Sequence, residues 1–528
     1  MANERSDVLI LGGGLAGLCL AIQLRRELPM LSVRVLERRK HPVPHAAFKV
    51  GESTVEIGAH YFDTVLDLKS HLERDQLRKF GFRFFFNEGK DDIAQTTELG
   101  VSSVFPTPSY QIDRGIFENY LATHATELGA VFEDGATVRT IDLDANSHRV
   151  RYTRDGAEHD IAARWVIDAS GRAGLLKRKL DLAQENAHDA NAIWFRIGER
   201  VEIDTWSDDE TWTSRTNPRE RWRSTNHLCG PGYWAWLIPL SSGSHSVGIV
   251  ADGQMHPLES INSFDKAMDW FAVHQPQLYR QLDTRRDKLQ DFAFFRHFSY
   301  GCKQVFSGER WALTGEAGLF LDPFYSPGSD FIAIANTYIL DLIRRDFACE
   351  RFAREARLYE NLYFSFYRNT LALYQDQYPM FGHAELMPLK VMWDYAYYWG
   401  ILCQFFFQNR LTDMTLFTRL AQPLERCEIL NRDMQRFLRE AAGDGVGRGT
   451  AQWLDQQRLP WFAEMNRGLR DNLSVDELEQ RIRTHAAMLE SLAAEIFRRV
   501  QALGYRSDNA NPLAALDEPT TELLREAA

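Results

Sequence analysis

Apolar and polar positions are most regularly patterned near the start of the chain. Val8 to Leu11 make a short unbroken apolar run, the pattern of a strand buried on both faces. The run stops at Gly12-Gly13-Gly14-Leu15-Ala16-Gly17. Apolar residues then recur at helical spacing to about Leu28, and Val33 to Leu36 form a second run closed by Glu37. The prediction is strand, glycine turn, helix, strand. Further along, Val55 to Leu77 has the period of an amphipathic helix, and Phe80 to Phe86 predicts a strand with Lys79, Gly81 and Arg83 on one face. A helix is expected from Gly115 to Leu128, then short strands from Ala130 to Ile167 with a hairpin turn at Arg154-Asp155-Gly156.

Trp194 to Ile197, Gly232 to Leu240 and Ser244 to Val250 alternate at period two, which marks a mostly β region over 186–294. The final third is helical and aromatic: Leu358 to Tyr374 and Lys390 to Phe407 are dense in Tyr, Phe and Trp, a composition that suits a core and equally an apolar lid. Ser474 and Glu477 make a capping box, apolar positions follow at Leu478, Ile482, Leu489, Ile496 and Val500, and Gly504 is the stop. Ala441 to Gly449 predicts a flexible link, and the polar stretch beyond Tyr505 a mobile tail. The expected organisation is an α/β domain over 1–185 and 295–345, a β-rich lobe over 186–294 and a helical region over 346–528.

Composition narrows the partners. A net charge of -12 and a pI near 5.7 argue against nucleic acid, which needs a basic face. Six cysteines lie far apart without zinc spacing, so they are expected to be buried thiols in a reducing compartment, with no metal site. The N-terminus has no apolar stretch of a signal peptide, and no run approaches the roughly 18 apolar residues of a membrane span. A soluble cytoplasmic protein is expected.

The glycine turn carries chemistry. Glycine at the first position allows the sharp turn, at the second lets a pyrophosphate approach the backbone, and at the third lets helix and strand pack closely. The helix N-terminus adds unpaired N–H groups and partial positive charge. Glu37, twenty residues past Gly17, stands where an acid takes a ribose hydroxyl. Gly12, Gly14, Leu15, Ala16, Gly17 and Glu37 are therefore candidate dinucleotide-binding residues. Val166 and Ile167 lead into Asp168-Ala169-Ser170-Gly171, a second backbone crossing beside the dinucleotide, and no independent nicotinamide fingerprint follows. Arg114, at a helix entry, is a candidate diphosphate partner or a solvated arginine. The loop from Asp322 to Asp330 aims backbone N–H groups and a helix N-terminus at one point, where an anion is stabilised. Lys79 alone suits a helix C-terminus, and Trp234 and Trp236 alone suit ordinary sheet packing.

Five motifs stand in order over residues 5–345: the G-x-G-x-x-G start, Gly51-Glu52-Ser53, Lys79-Phe80-Gly81, Trp234-Ala235-Trp236-Leu237-Ile238-Pro239, and Asp322-Pro323-Phe324-Tyr325-Ser326-Pro327-Gly328. Together they resemble the flavin-dependent halogenases. The branch acting on phenols and pyrroles is closer than the tryptophan branch, which carries an acid where this chain has Tyr325. The resemblance implies an α/β, FAD-binding Rossmann-like (GR2-type) flavoprotein fold with a β-sheet substrate lobe and a helical C-terminal region. It implies FAD, used as FADH2 from a separate flavin reductase, with O2 and chloride or bromide. The substrate it implies is an electron-rich aromatic ring, free or tethered to a carrier protein.

By the same resemblance, Glu52, Ser53, Arg114, Glu316 and Gly328 join the glycine turn in binding FAD, and Ser326, Gly328 and Ser329 hold halide. Trp234 and Trp236 line the substrate pocket. Lys79 is the catalytic amine that holds hypohalous acid or becomes a haloamine, a role helped by desolvation, which favours the neutral form. Two departures stand out. Pro327 has no N–H where the family offers one to halide, and Gly315-Glu316 replaces the family's Gly-Asp, one methylene longer. The rival classes are a flavoprotein monooxygenase hydroxylating an aromatic substrate, and a non-oxygenating FAD-dependent oxidoreductase acting on a polyene or lipid.

Overall fold

The strand Glu4–Leu11 is central to a seven-stranded sheet, and Val8 to Leu11 are wholly buried in it. This computed structural model describes residues 4–46, 49–86, 91–443, 452–505, 513, 523 and 524. The sheet runs Val131–Glu133, Val33–Leu36, Glu4–Leu11, Ala157–Asp168, His148–Arg154, Thr137–Asp142. The first four strands are parallel. Ala157–Asp168 changes partner along its length: Ala157 to Ala163 pair antiparallel with His148–Arg154, and Val166 to Asp168 pair parallel with Trp311–Leu313. The turn between the antiparallel strands is Asp155-Gly156, both at positive φ (49° and 81°), the conformation a tight hairpin selects.

This sheet belongs to the first of two compact units, residues 1–76, 112–187 and 299–367; the second comprises 77–111, 188–298 and 368–528. Residues 77–111 thus fall with the β-rich region, and most of the helical final third falls in that same unit. In the first unit the glycine-turn helix Leu15–Glu27 packs against Arg114–Glu127 and Gly328–Phe347. The helical stretch expected over Val55 to Leu77 is broken. Glu56–His60 is α-helical, Tyr61–Val65 is a π turn, and a second helix spans Lys69–Asp75 after Asp67 enters the left-handed region at φ 58°.

The second unit is built on an eight-stranded sheet: Leu289–Phe295, Ala190–Ile197, His245–Asp252, Tyr233–Pro239, Thr225–Gly230, Phe82–Phe86, Thr97–Gly100, Trp453–Asp455. One face carries Phe85, Leu228, Ala235, Leu237, Val247 and Ile249 into a core closed by Phe264–His274 and Pro276–Asp283. Phe82, Phe84, His227, Trp234 and Trp236 form the aromatic group of the opposite face. The expectation that Lys79 shares a face with Arg83 is corrected. Gly81 adopts φ 73° and breaks the alternation, so the Lys79 ammonium turns back over the Phe82 ring. Arg83 lies fully buried, pairing with Glu98 at 2.5 Å and donating to the Val101 carbonyl at 2.6 Å.

In the final third, Leu386–Tyr397, a π turn Tyr398–Leu402 and Cys403–Phe407 follow one another, and Lys390 pairs with Asp394 in full burial at 2.6 Å. Ser474 caps the helix Val475–Ala502 in a capping box with Glu477, and Gly504 has φ 107°. Of the expected link, Ala441 to Gly443 end the helix Ala421–Gly443, and 444–449 lie outside the described residues, as does nearly all of the tail beyond Tyr505. All six cysteines are free thiols. Five are buried, and Cys349 is exposed, contrary to expectation, because it follows the end of the long helix Gly328–Phe347 at φ 59°. Among the described residues no helix is long and apolar enough to cross a membrane, and no group of His, Cys, Asp or Glu could hold a metal ion.

Candidate functional site

The three glycines of the turn have three different surroundings. A β-carbon at Gly12 would sit 2.3 Å from the Ala169 carbonyl oxygen, and one at Gly17 only 2.0 Å from the Gly12 carbonyl oxygen. At Gly14 a β-carbon would meet, beyond its chain neighbours, no heavy atom of the described residues within 4 Å. Gly12 and Gly17 are therefore glycines for packing, while Gly14 bares its backbone to open space, the shape a diphosphate needs. Leu15 and Ala16 begin the helix whose first N–H groups lack intrahelical acceptors. Glu37 braces the loop, its carboxylate accepting from Gly13 N and Arg39 N, each at 2.7 Å.

Two further loops close on this turn. Asp168, fully buried, accepts from Ser170 N (3.0 Å), Ser170 Oγ (2.6 Å) and Leu176 N (2.7 Å), which fixes the second crossing. Burial raises its carboxyl above the usual range, and those donors oppose the shift. Gly315, at φ 59°, brings the third loop so near that its β-carbon would lie 3.0 Å from Ala16 Cβ. A buried chain of hydrogen bonds ties the segments together. Tyr61 donates to Gln23 Oε1 at 2.8 Å, Asn336 Nδ2 donates to Tyr61 Oη at 3.0 Å and to the Ala16 carbonyl at 3.2 Å, and Thr314 donates to Asn336 Oδ1 at 2.7 Å.

Glu52 and Ser53 are buried, and the Glu52 carbonyl accepts from Ile112 N at 2.6 Å. Arg114 donates to Glu118 at 2.6 Å and to the Val50 carbonyl at 2.6 Å, with Lys49 also on Glu118. Its guanidinium thus fastens the loop before Glu52 to its own helix. The longer Glu316 reaches Arg172 at 3.2 Å, and its carbonyl accepts from Tyr300 Oη at 2.7 Å.

The loop from Asp322 ends in the helix Gly328–Phe347, with Pro327 as its N-cap. Ser326 stands at φ 51° and donates its N–H to the Pro323 carbonyl at 2.8 Å, so its backbone is engaged in the turn. The Pro327 carbonyl accepts from Asp330 N and Phe331 N. Gly328 and Ser329 are the first two helical residues. A β-carbon at Gly328 would meet open space, and the Ser329 hydroxyl, on a residue only 8 % exposed, has no hydrogen-bond partner among the described residues. Gly58 allows this hydroxyl in, since a β-carbon there would lie 2.2 Å from it, and Gly58 N donates to Asp330 Oδ1 at 2.8 Å.

In the second unit, Lys79 is 4 % exposed, with Nζ 3.4 Å from the centroid of Phe82. Trp234 donates to Tyr378 Oη and Trp236 to Ser246 Oγ, each at 3.1 Å, and their rings lie 5.6 Å apart. Trp236 lies over Gly248, where a β-carbon would sit 2.2 Å from the indole. His227, fully buried, stacks on Phe84 at 4.7 Å and touches Trp234 at 5.2 Å. Phe82, Gly58 and Asn336 escaped the sequence reading. Gly58 and Asn336 act through partners far along the chain, while Phe82 meets Lys79 only because Gly81 between them is left-handed.

These features define an FAD-binding flavoprotein, and residues 5–246 match the family model of the FAD binding domain. Flavin-dependent halogenase chlA of Dictyostelium discoideum is 26% identical over 431 residues, 75% of this chain and 70% of its own. Tetracycline 7-halogenase of Kitasatospora aureofaciens is 27% identical over 393 residues, 67% of each. The pyrrole-2-carbonyl peptidyl-carrier-protein brominase of Pseudoalteromonas luteoviolacea is 26% identical over 346 residues, 64% of this chain and 77% of its own. The fold is shared with halogenase PltM, at TM-score 0.63 and 18% identity over 94% of this chain and 96% of that one. The brominase Bmp2 follows at 0.57 and 22%, over 72% and 89%. The chain is thus similar in sequence to several flavin-dependent halogenases and shares their fold.

Proposed function

We propose that the protein is an FAD-dependent halogenase acting on an electron-rich aromatic ring. The observation that carries this reading is the helix N-terminus at Gly328 and Ser329: two first-turn N–H groups beside a buried hydroxyl that has no hydrogen-bond partner among the described residues, in the unit that carries the Gly14 cradle. That is a donor set for a small anion, chloride or bromide. FAD held by these residues in its reduced form would supply the reducing power that, with O2, halide and a proton, yields hypohalous acid and water. Gly12, Gly14 and Gly17 shape the diphosphate seat, Glu37 braces it, and Glu52, Ser53, Arg114 and Glu316 frame its sides.

Lys79 takes the halogen next. Its neutral amine forms an N–halogen bond with release of water. The bond then breaks as the substrate carbon takes the halogen and loses a proton. Trp234 and Trp236 wall the substrate side, so the ring meets the amine rather than an oxygen donor. Relatives named for tetracycline and for a carrier-bound pyrrole carbonyl support both free and tethered rings as the substrate class.

Direct oxygen transfer is the second reading, and Pro327 favours it by removing one halide donor. Restoring that donor tests the anion site. Pro327→Gln keeps a φ near −74° that glutamine adopts freely. One aligned N–H to an anion contributes about 1.5–3 kcal/mol. The halide concentration for half-maximal product should fall by about tenfold to a hundredfold; an unchanged halide dependence counts against this location.

The decisive experiment is product mass from phenols, indoles and pyrroles, free and carrier-bound, given FADH2, O2 and bromide. A bromine isotope doublet is expected. A gain of one oxygen would establish the monooxygenase, and a gain of hydrogen the reductase. Run with NADPH alone, the reaction should yield little product until a separate flavin reductase is added.

A further inference from the structure

We propose that Phe82 is the positioning residue for the Lys79 amine: an aromatic seat that holds the nitrogen yet is too poorly activated to take the halogen itself. The inference rests on the reading of Lys79 as the halogen relay. Its observation is the contact of Lys79 Nζ with the Phe82 ring, 3.4 Å from the centroid, in a place only 4 % exposed.

Both ends of that contact are fixed. Lys79 N donates to the Ser109 carbonyl at 2.8 Å, Phe80 N donates to the Arg223 carbonyl at 3.1 Å, and Gly81 at φ 73° folds the lysine back over the ring. The ring is itself wedged edge-on against His227 at 5.3 Å, beside Phe84 at 5.9 Å and Tyr395 at 6.3 Å. The negative face of the ring attracts the lysine while it is an ammonium and still packs against its nitrogen once it is the neutral amine. The contact restrains a long flexible lysine, the condition for delivering a halogen to one carbon of a bound substrate.

The choice of ring has a chemical reason. An N–halogen bond on Lys79 would stand within contact distance of this arene. Phenylalanine has no oxygen or nitrogen to activate its ring carbons, whereas a phenol at the same place is the substrate class of the enzyme. Its ring carbon would form the carbon–halogen bond, the nitrogen–halogen bond would break, and a ring proton would return the nitrogen to an amine. The seat therefore supplies a π face without becoming the product.

The test compares Phe82→Tyr and Phe82→Leu with the wild type during turnover with FADH2, O2, bromide and a phenol. A soluble β-diketone traps escaped hypobromous acid, and peptide mapping follows. Phe82→Tyr keeps the face and should acquire a bromine isotope doublet on the peptide containing residue 82. The same mark is expected when hypobromite is added to the flavin-free variant. Phe82→Leu loses the face. It should oxidise FADH2 at the wild-type rate, make about tenfold to thirtyfold less product per flavin oxidised, and send the difference to the trap. An unmarked residue 82 in the tyrosine variant, or a wild-type division between product and trap in the leucine variant, overturns the proposal. Should the tyrosine variant not fold, the leucine variant decides. A wild type that never halogenates would overturn the halogenase reading instead.

Discussion

Lys79→Ala is expected to lose halogenated product by about a hundredfold to ten-thousandfold, the range for removing a group that handles the reacting atom, while FADH2 is still oxidised by O2 at the wild-type rate. The two effects separate because the residues belong to different units. Lys79 lies in the unit of the eight-stranded sheet, and the glycine turn, the Asp168 crossing and the Gly315 loop lie in the other. The substitution changes no residue of the flavin loops or of the Ser329 helix. The variant should therefore still make oxidant, which a soluble trap collects. Folding is not the weak point. The backbone bond from Lys79 N to Ser109 survives the substitution, and Phe82 keeps its contacts with His227 and Phe84. Undiminished product from the alanine variant would remove Lys79 from the mechanism, and loss of flavin oxidation would give it a different role.

Gly14→Asp should leave a folded protein that no longer retains FAD. Beyond its chain neighbours, a β-carbon at this position meets no heavy atom of the described residues within 4 Å, so the polypeptide has room for it. The new carboxylate would then occupy the space into which a diphosphate fits and repel it. Two unit charges 4 Å apart near a protein surface differ from isolated ones by about 4 kcal/mol, roughly a thousandfold in Kd. The measurements are flavin absorbance after gel filtration and a thermal unfolding curve. Gly17→Ala is the contrasting control. Its β-carbon would lie 2.0 Å from the Gly12 carbonyl oxygen, so it should lower the melting temperature as well. Full flavin occupancy in the Gly14 variant would show that the cradle serves something else.

How much was legible in the sequence depends on whether a feature is local. The strand, glycine turn, helix and Glu37 are close in the chain and obey backbone rules, so both the elements and the separate roles of Gly12, Gly14 and Gly17 follow from spacing. The Asp155-Gly156 hairpin and the Ser474 capping box are equally local. Lys79 is the opposite case. Period-two alternation puts it on the Arg83 face, and one left-handed glycine between them reverses that placement. The helix expected over Val55 to Leu77 fails similarly at Asp67. Arg114 read as a diphosphate partner or a solvated arginine, and its bonds to Glu118 and the Val50 carbonyl could not be recognised without tertiary structure. The loop from Asp322 to Asp330 was half legible: the absent N–H at Pro327 is a property of proline, while the engagement of Ser326 N and the buried Ser329 hydroxyl without a hydrogen-bond partner among the described residues are properties of the fold.

The hydrogen bonds through Gln23, Tyr61, Asn336 and Thr314 have a consequence for how the cofactor is kept. They join four stretches scattered over more than half of the chain, and each bond is buried, so none is exchanged for water without opening the others. The loops that would grip the flavin are consequently one cooperative block rather than separate flaps. Cofactor release then requires either sliding out of a standing frame or melting the frame as a whole. A block of that kind makes holding the flavin and staying folded a single thermodynamic property, with each gaining from the other through linkage.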